Sequence, residues 1–357
     1  MQGAFLPMWI GAGLALAILF AISCIQFRQA GLAAVAALAA LPGYVPAIAF
    51  HAQSHTAGYL LGFLICGIFL SAVETRICES ALPADAVRQA LRDSAAAMLW
   101  PLALVLVIAA IFAIVSGSAV FTLALPVAFS AASVFAIALP AARYLAYGDE
   151  FIVRANRLRE RRERWLDGLA FTVQPRWGWS VTGIALIFTV LGCFGGSGAA
   201  TSFPAAVLLA DALLFAVVAF ASVRNIRRAA AFLVSAASLV SVGFWMWERM
   251  PASAPDMILA GAVAATPALV MAIRSAKFAR KGDTAAVASL RASEQFAVEI
   301  IFFCLGSAGA LMAVGAWAAG ILIALGGVWA LIVFPAITTA IHDLFPARLS
   351  QDAYRIR

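Results

Sequence analysis

Long apolar runs alternate with short polar segments along the chain, and this pattern predicts its elements. A helix needs about 20 mostly apolar residues to cross the hydrocarbon core of a bilayer. Eleven runs come close to that length, at 7–27, 31–50, 58–75, 95–115, 119–142, 178–195, 203–222, 229–247, 257–273, 296–314 and 318–341. They predict an all-α fold, that of a polytopic helical membrane protein with about 11 transmembrane helices.

The residue composition excludes other classes of protein. Hydrophobic residues make up 64% of the chain and charged residues only 11%. A soluble domain carries about 25% charged residues, so this chain lacks the polar side chains to cover a surface in water. Disordered chains have low hydrophobicity and are excluded too. A transmembrane barrel would alternate apolar and polar residues along each strand, and these runs do not.

The positions of lysine and arginine predict the orientation. Of the two sets of alternate loops between the predicted helices, one holds 23 of the 24 basic residues and the other holds only Arg249. Cytoplasmic loops carry the excess of basic residues, so the first set is predicted to be cytoplasmic. The N-terminus is then outside and the C-terminus inside. The net charge of +7 reflects this excess and does not indicate a nucleic-acid partner.

The predicted location is the bacterial inner (plasma) membrane. The abundance of alanine and arginine is typical of a bacterial genome rich in G and C. No lysine or arginine precedes the first apolar run, whereas a signal peptide begins with basic residues. We therefore expect 7–27 to be a retained helix. The larger hydrophilic segments, 76–94, 143–177 and 274–295, all fall on the predicted cytoplasmic side.

The two ends of the chain resemble each other, which indicates an internal duplication. Helices one to five and seven to eleven share an order of loop lengths, and Leu139-Pro140-Ala141 is matched by Phe334-Pro335-Ala336. We predict a first five-helix repeat at 1–148, a basic connector plus one extra helix at 149–202, and a second five-helix repeat at 203–357. Because the extra helix restores the orientation, the repeats would be parallel and related by a pseudo-twofold axis.

The connector carries a basic face. Arg154, Arg157, Arg161 and Arg164 recur at helical spacing among apolar residues. This pattern favours an amphipathic helix in the cytoplasmic interface that contacts anionic lipids or a protein partner. The alternative is an elbow that only sets the topology of the two halves.

Asp211 is the most informative residue for function. It lies near the middle of the predicted helix 203–222, where a charged carboxylate costs about 2.5–3.5 kcal/mol to insert. It should therefore face protein or a water-filled cavity. The predicted helices hold no basic residue at mid-span. A bound proton or cation therefore explains an acid at this position better than an ion pair does. The alternative is a protonated acid that hydrogen-bonds a neighbouring helix and only stabilises the bundle.

Glu299 is the second candidate for ion or proton coupling. It lies about one turn inside the predicted helix 296–314, although its side chain could instead extend to the membrane surface. His51 and His55 have an i, i+4 spacing, but two ligands are too few for a metal site. We predict no metal and no cofactor.

Other residues are predicted to shape the helices. Pro101 and Pro267 fall inside predicted helices and should kink them. Gly192 and Gly196 permit the close approach of a neighbouring helix. His342 ends the last predicted helix, where a C-terminus favours a cation, so it is predicted to cap that helix.

The pattern favours a transporter over an enzyme. No nucleophile–base set, phosphate-binding glycine loop or carboxylate cluster is recognisable, so we predict no enzymatic activity. We predict an inner-membrane transporter or permease for a small solute or ion, proton-coupled through Asp211. The alternative is a non-catalytic membrane subunit of a multi-protein assembly, whose cytoplasmic loops 76–94 and 274–295 dock protein partners.

Overall fold

The computed structural model is helical in every element that it describes. The described residues are 83–116, 168, 170–195, 205–247, 249–250, 254–280, 282–293 and 317–345, with the single positions 17, 21, 300 and 304. The predicted helices 7–27, 31–50, 58–75, 119–142 and 296–314 lie wholly or almost wholly outside these residues.

The described ranges contain the following α-helices: α1 Pro83–Ser116, α2 Pro175–Gly195, α3 Ala205–Val223, α4 Ile226–Trp247, α5 Ala254–Arg280, α6 Trp317–Val328 and α7 Phe334–Leu344. A short 3₁₀ turn, Ala170–Val173, precedes α2. Proline begins α1 and α2, because its missing N–H is not needed in the first turn of a helix.

Three helical segments in the described part of the chain are long and apolar enough to cross a membrane. They are Ile226–Trp247, Ala260–Arg280 and Trp317–Leu344, and the last runs through α6 and α7. All three overlap predicted spans. The predicted boundaries were too narrow for α1 and α5: α1 begins at Pro83, and α5 continues to Arg280.

Helix α4 lies at the centre of the described bundle and contacts α2, α3, α5, α6 and α7. Helix α5 contributes much of the core, since every residue from 261 to 276 is buried. It contacts α1, α4 and α6. The predicted small-residue contact at Gly192 is confirmed, because a Cβ built there would lie 2.6 Å from the Ser241 carbonyl oxygen of α4.

Apolar surface is exposed on the outer helices. Ile184, Ile187 and Leu191 of α2 are each more than half exposed. A soluble protein rarely presents such a contiguous apolar face, whereas a bilayer accepts it. Trp177 and Trp245 are also about half exposed and lie near the ends of α2 and α4, as expected for residues at a membrane–water interface.

The long C-terminal helical segment contains a π turn at Trp329–Val333. Pro335 lacks an N–H, so the i→i−4 ladder cannot continue unchanged here. The Phe334 N–H instead donates to the Trp329 carbonyl, five residues back. The Trp329 indole Nε1–H donates to Ser238 Oγ of α4 at 2.7 Å, so the turn is joined to the central helix.

Replacing Trp329 with phenylalanine should lower stability by about 1 kcal/mol, because an intramolecular hydrogen bond contributes roughly that much. Thermal unfolding of the purified protein measures the effect. Ser238→Ala is the matched control, since it removes the acceptor of the same bond. If the loss of stability in the double variant equals the sum of the losses in the two single variants, the two residues are not coupled and the hydrogen bond does not contribute to stability as expected.

The segment after α5 is partly helical, whereas the sequence predicted a cytoplasmic loop at 274–295. Gly282 has a φ of 99°, and the N–H of Asp283 donates to the Phe278 carbonyl. This glycine-terminated arrangement commonly closes a helix. Residues 285–293 are again helical. Because Arg274 belongs to α5 and Ser289 is buried, only part of the predicted docking loop is accessible.

Candidate functional site

Asp211 lies on the inward side of α3. Leu213, Val217 and Phe220 form the outward stripe of this helix and are between 47% and 62% exposed. Asp211 and Phe215, one turn apart on the other side, line a partly open cavity between the described helices. The acid therefore faces the protein interior, as expected for a carboxylate in a predicted span.

The cavity beside Asp211 has a volume of about 500 Å³. We call it the Asp211 cavity. Its walls include Phe215, Phe244, Met257 and Gly261, and residues of α1, α2 and α6 complete it. This volume lies within the range of pockets that hold small organic molecules.

The lining is mainly apolar, and Asp211 is its one ionisable side chain among the residues that the structure describes. Thr189 also lines the cavity, but its hydroxyl donates to the Ala185 carbonyl of its own helix at 2.9 Å. Asp211 Oδ1 is buried and finds no hydrogen-bond partner within the described residues. A buried carboxylate oxygen without a donor is unfavourable, so this site is suited to receive a proton or a hydrogen-bond donor from a bound molecule.

A second polar cluster lies at the other end of α4. Arg228 is fully buried, and its Nη1 donates to the Ser275 carbonyl of α5 at 2.7 Å. Its Nε and Nη2 have no partner in the described ranges. The sequence had assigned Arg228 and Arg274 to cytoplasmic loops. Both are buried within helices instead, because α4 and α5 extend further than hydropathy alone predicted.

His342 lies in the last turn of α7, where capping was predicted. Its Nδ1 is 3.5 Å from Nη1 of Arg227, a distance at which the guanidinium can donate only a weak hydrogen bond. A positively charged His342 was predicted here. Its Nδ1 instead accepts from Arg227, and an imidazole nitrogen that accepts carries no proton. This contact places the end of α7 against the start of α4.

Comparison with solved structures identifies the fold. The crystal structure of SecDF from Thermus thermophilus, described as a translocon-associated membrane protein, matches with a TM-score of 0.63 and 12% sequence identity. The match covers 96% of this chain and 62% of that one. SecDF in its super-membrane-facing form matches with a TM-score of 0.61 and 12% identity over 99% of this chain and 64% of that one.

This chain is a multi-pass helical membrane protein with the fold of the SecDF membrane protein over most of its length. It spans less than two thirds of the length of either SecDF chain. No protein-family model and no curated protein matches it. At 12% identity the likeness concerns the fold alone.

The other predicted site residues lie outside the described residues. These are Glu299 and the connector arginines Arg154, Arg157, Arg161 and Arg164, and the histidines His51 and His55 lie outside as well. Of the residues predicted to couple ions, Asp211 alone is described.

Sequence reasoning missed the burial of Arg228. A signal was present, since Arg228, Phe232, Ser235 and Leu239 recur every three or four residues and all are buried on one side of α4. Helical periodicity therefore placed the arginine on the core side. The predicted span 229–247 began one residue too late to include Arg228, whereas the helix begins at Ile226.

Proposed function

We propose that the chain is an inner-membrane transporter that moves a small solute or ion, coupled to proton movement through Asp211. The observation that carries this proposal is the position of the carboxylate in the wall of the Asp211 cavity, with Oδ1 lacking a partner in the described residues. Ionisable groups inside a membrane domain mark ion and substrate paths more often than they mark packing.

The predicted duplication supports transport. Parallel repeats related by an axis along the membrane normal occur in transporters, whose substrate sites lie at the repeat interface. Asp211 lies early in the proposed second repeat, 203–357. We keep the proposed orientation, with the N-terminus outside and the C-terminus in the cytoplasm, because the positive-inside rule requires it.

The second candidate is a membrane subunit of a multi-protein assembly. The fold favours it, since SecDF is described as translocon-associated. In this case the predicted docking segments 76–94 and 274–295 would contact partners. Their surface is reduced by folding, but Thr284, Val287 and Arg291 remain accessible.

Native mass measurement after gentle extraction separates the two candidates. A mass accounted for by this chain, or by several copies of it, supports the transporter. Partner chains that co-extract in fixed stoichiometry support the subunit.

Proton flux tests the transporter directly. The purified chain is reconstituted into liposomes that contain a pH-sensitive dye, and an imposed pH gradient is followed with and without candidate solutes. Flux above the leak of protein-free liposomes supports the proposal. Flux equal to that leak under every solute tested contradicts it.

A further inference from the structure

The chemistry of the Asp211 cavity restricts what can bind there. An aqueous ion would lose its hydration among Phe215, Phe244 and Met257 without gaining enough ligands in return. A neutral apolar molecule would fit these walls but would leave Asp211 Oδ1 without a donor. A molecule with one ammonium group and an apolar body satisfies both parts of the lining.

We propose that the Asp211 cavity binds a lipophilic amine, with the ammonium group at the Asp211 carboxylate and the apolar body against the aromatic rings. A cation also interacts favourably with the faces of aromatic rings such as Phe244 and Trp247, which line the same space. This inference names the class of solute for the proposed transporter. Only the statement that the amine is transported rests on the proposed function.

Gly261 is a position at which a larger side chain would fill the cavity. It belongs to the buried part of α5 and lines the cavity, yet a Cβ built on it meets no atom within 4 Å. A large side chain there can extend into the empty space without a collision with the backbone. Gly183 on α2 is the matched control, because a Cβ there also meets nothing within 4 Å and it is not a lining residue.

Equilibrium binding to the chain 1–357 in detergent tests the proposal. The probe is a radiolabelled tertiary amine with two aromatic rings, and the comparison ligand is its uncharged isostere with carbon in place of the amine nitrogen. We expect saturable binding of the amine and binding of the isostere at least about tenfold weaker, since a site with a buried polar group discriminates against an analogue that leaves it unpaired.

Two variants locate the site. Asp211→Asn should abolish the preference for the amine over the isostere. Gly261→Phe should abolish the binding of both ligands, and Gly183→Phe should change neither. Size-exclusion profiles verify that each variant is folded, and Asp211→Asn keeps the test decisive if Gly261→Phe does not fold.

Equal affinity of the wild-type protein for the amine and the isostere would overturn the proposal, because the cavity would then be a site for any apolar molecule, such as an acyl chain. Amine binding that survives in folded Gly261→Phe would also overturn it. The two proposals fail separately. Proton flux without amine binding contradicts only the ligand class, whereas amine binding without any flux contradicts only the transporter.

Discussion

Asp211→Asn should reduce proton flux in liposomes to the leak of protein-free vesicles while leaving the protein folded and more stable. Asparagine has nearly the shape of aspartate but cannot release a proton or carry a charge. Burial disfavours the charged form of a carboxylate whose Oδ1 has no donor in the described residues, so its replacement by a neutral amide should raise the melting temperature. A loss of function that accompanies a gain in stability is typical of a site kept for activity.

Asp211→Leu distinguishes the two interpretations of this residue. If Asp211 only holds neighbouring helices together through a hydrogen bond, leucine should lower the melting temperature. If it is a coupling group in the cavity, leucine should raise it as asparagine does. Asp211→Glu retains a carboxylate and should retain measurable flux.

Asp283→Asn is the matched control for the loss of an acid. Asp283 forms a surface ion pair with Arg291 at 2.9 Å, and Arg291 is 53% exposed. Such pairs contribute about 0–1 kcal/mol, so both flux and melting temperature should stay near the wild-type values. Loss of flux in Asp283→Asn as well would show that the assay reports general damage and not coupling at Asp211.

Gly326→Leu should destabilise the protein by about 3 kcal/mol or more. A Cβ built on Gly326 of α6 would collide with the Ala264 carbonyl oxygen and lie 2.9 Å from the Ala264 Cα and carbonyl carbon. These are backbone atoms of α5, which cannot rotate away as a side chain can. Overpacking costs about 1–3 kcal/mol when side chains alone must move, so the separation of two helix backbones should reach or exceed the upper value.

Thermal unfolding in detergent measures this effect. For a chain of 357 residues, a loss of about 3 kcal/mol corresponds to a fall of roughly 4 °C in melting temperature. Gly183→Leu is the control because its Cβ meets nothing within 4 Å, and leucine has the higher helix propensity. An unchanged melting temperature in Gly326→Leu would mean that α5 and α6 do not pack as closely as described.

The fold class followed from hydropathy because insertion into a bilayer is a local property. Each span must satisfy its own backbone hydrogen bonds and bury its own apolar side chains in lipid. Predicted helices such as 178–195 and 203–222 therefore agree with α2 and α3 to within a few residues. The duplication and the count of about 11 helices depend on residues outside the described ranges and stay predictions.

Helix ends were less predictable. A span predicted from hydropathy ends where charged residues begin, whereas the helix itself continues past them. Asn225 Oδ1 accepts the Arg228 N–H at 3.3 Å at the start of α4, and this side-chain cap starts the helix before its first two arginines. The C-terminal end of α5 is set in the same local way, by the glycine at 282 with its positive φ.

The amino-acid pattern alone thus establishes a helical multi-pass membrane protein and singles out Asp211, because an acid within an apolar helix is conspicuous without any structure. It could not reveal that Asp211, Phe244 and Gly261 share one cavity, or that Arg228 lies beside Ser275. These residues are far apart in the chain, and their proximity depends on how α3, α4 and α5 pack. Packing depends on the fit between helix surfaces, and hydropathy carries no information about that fit.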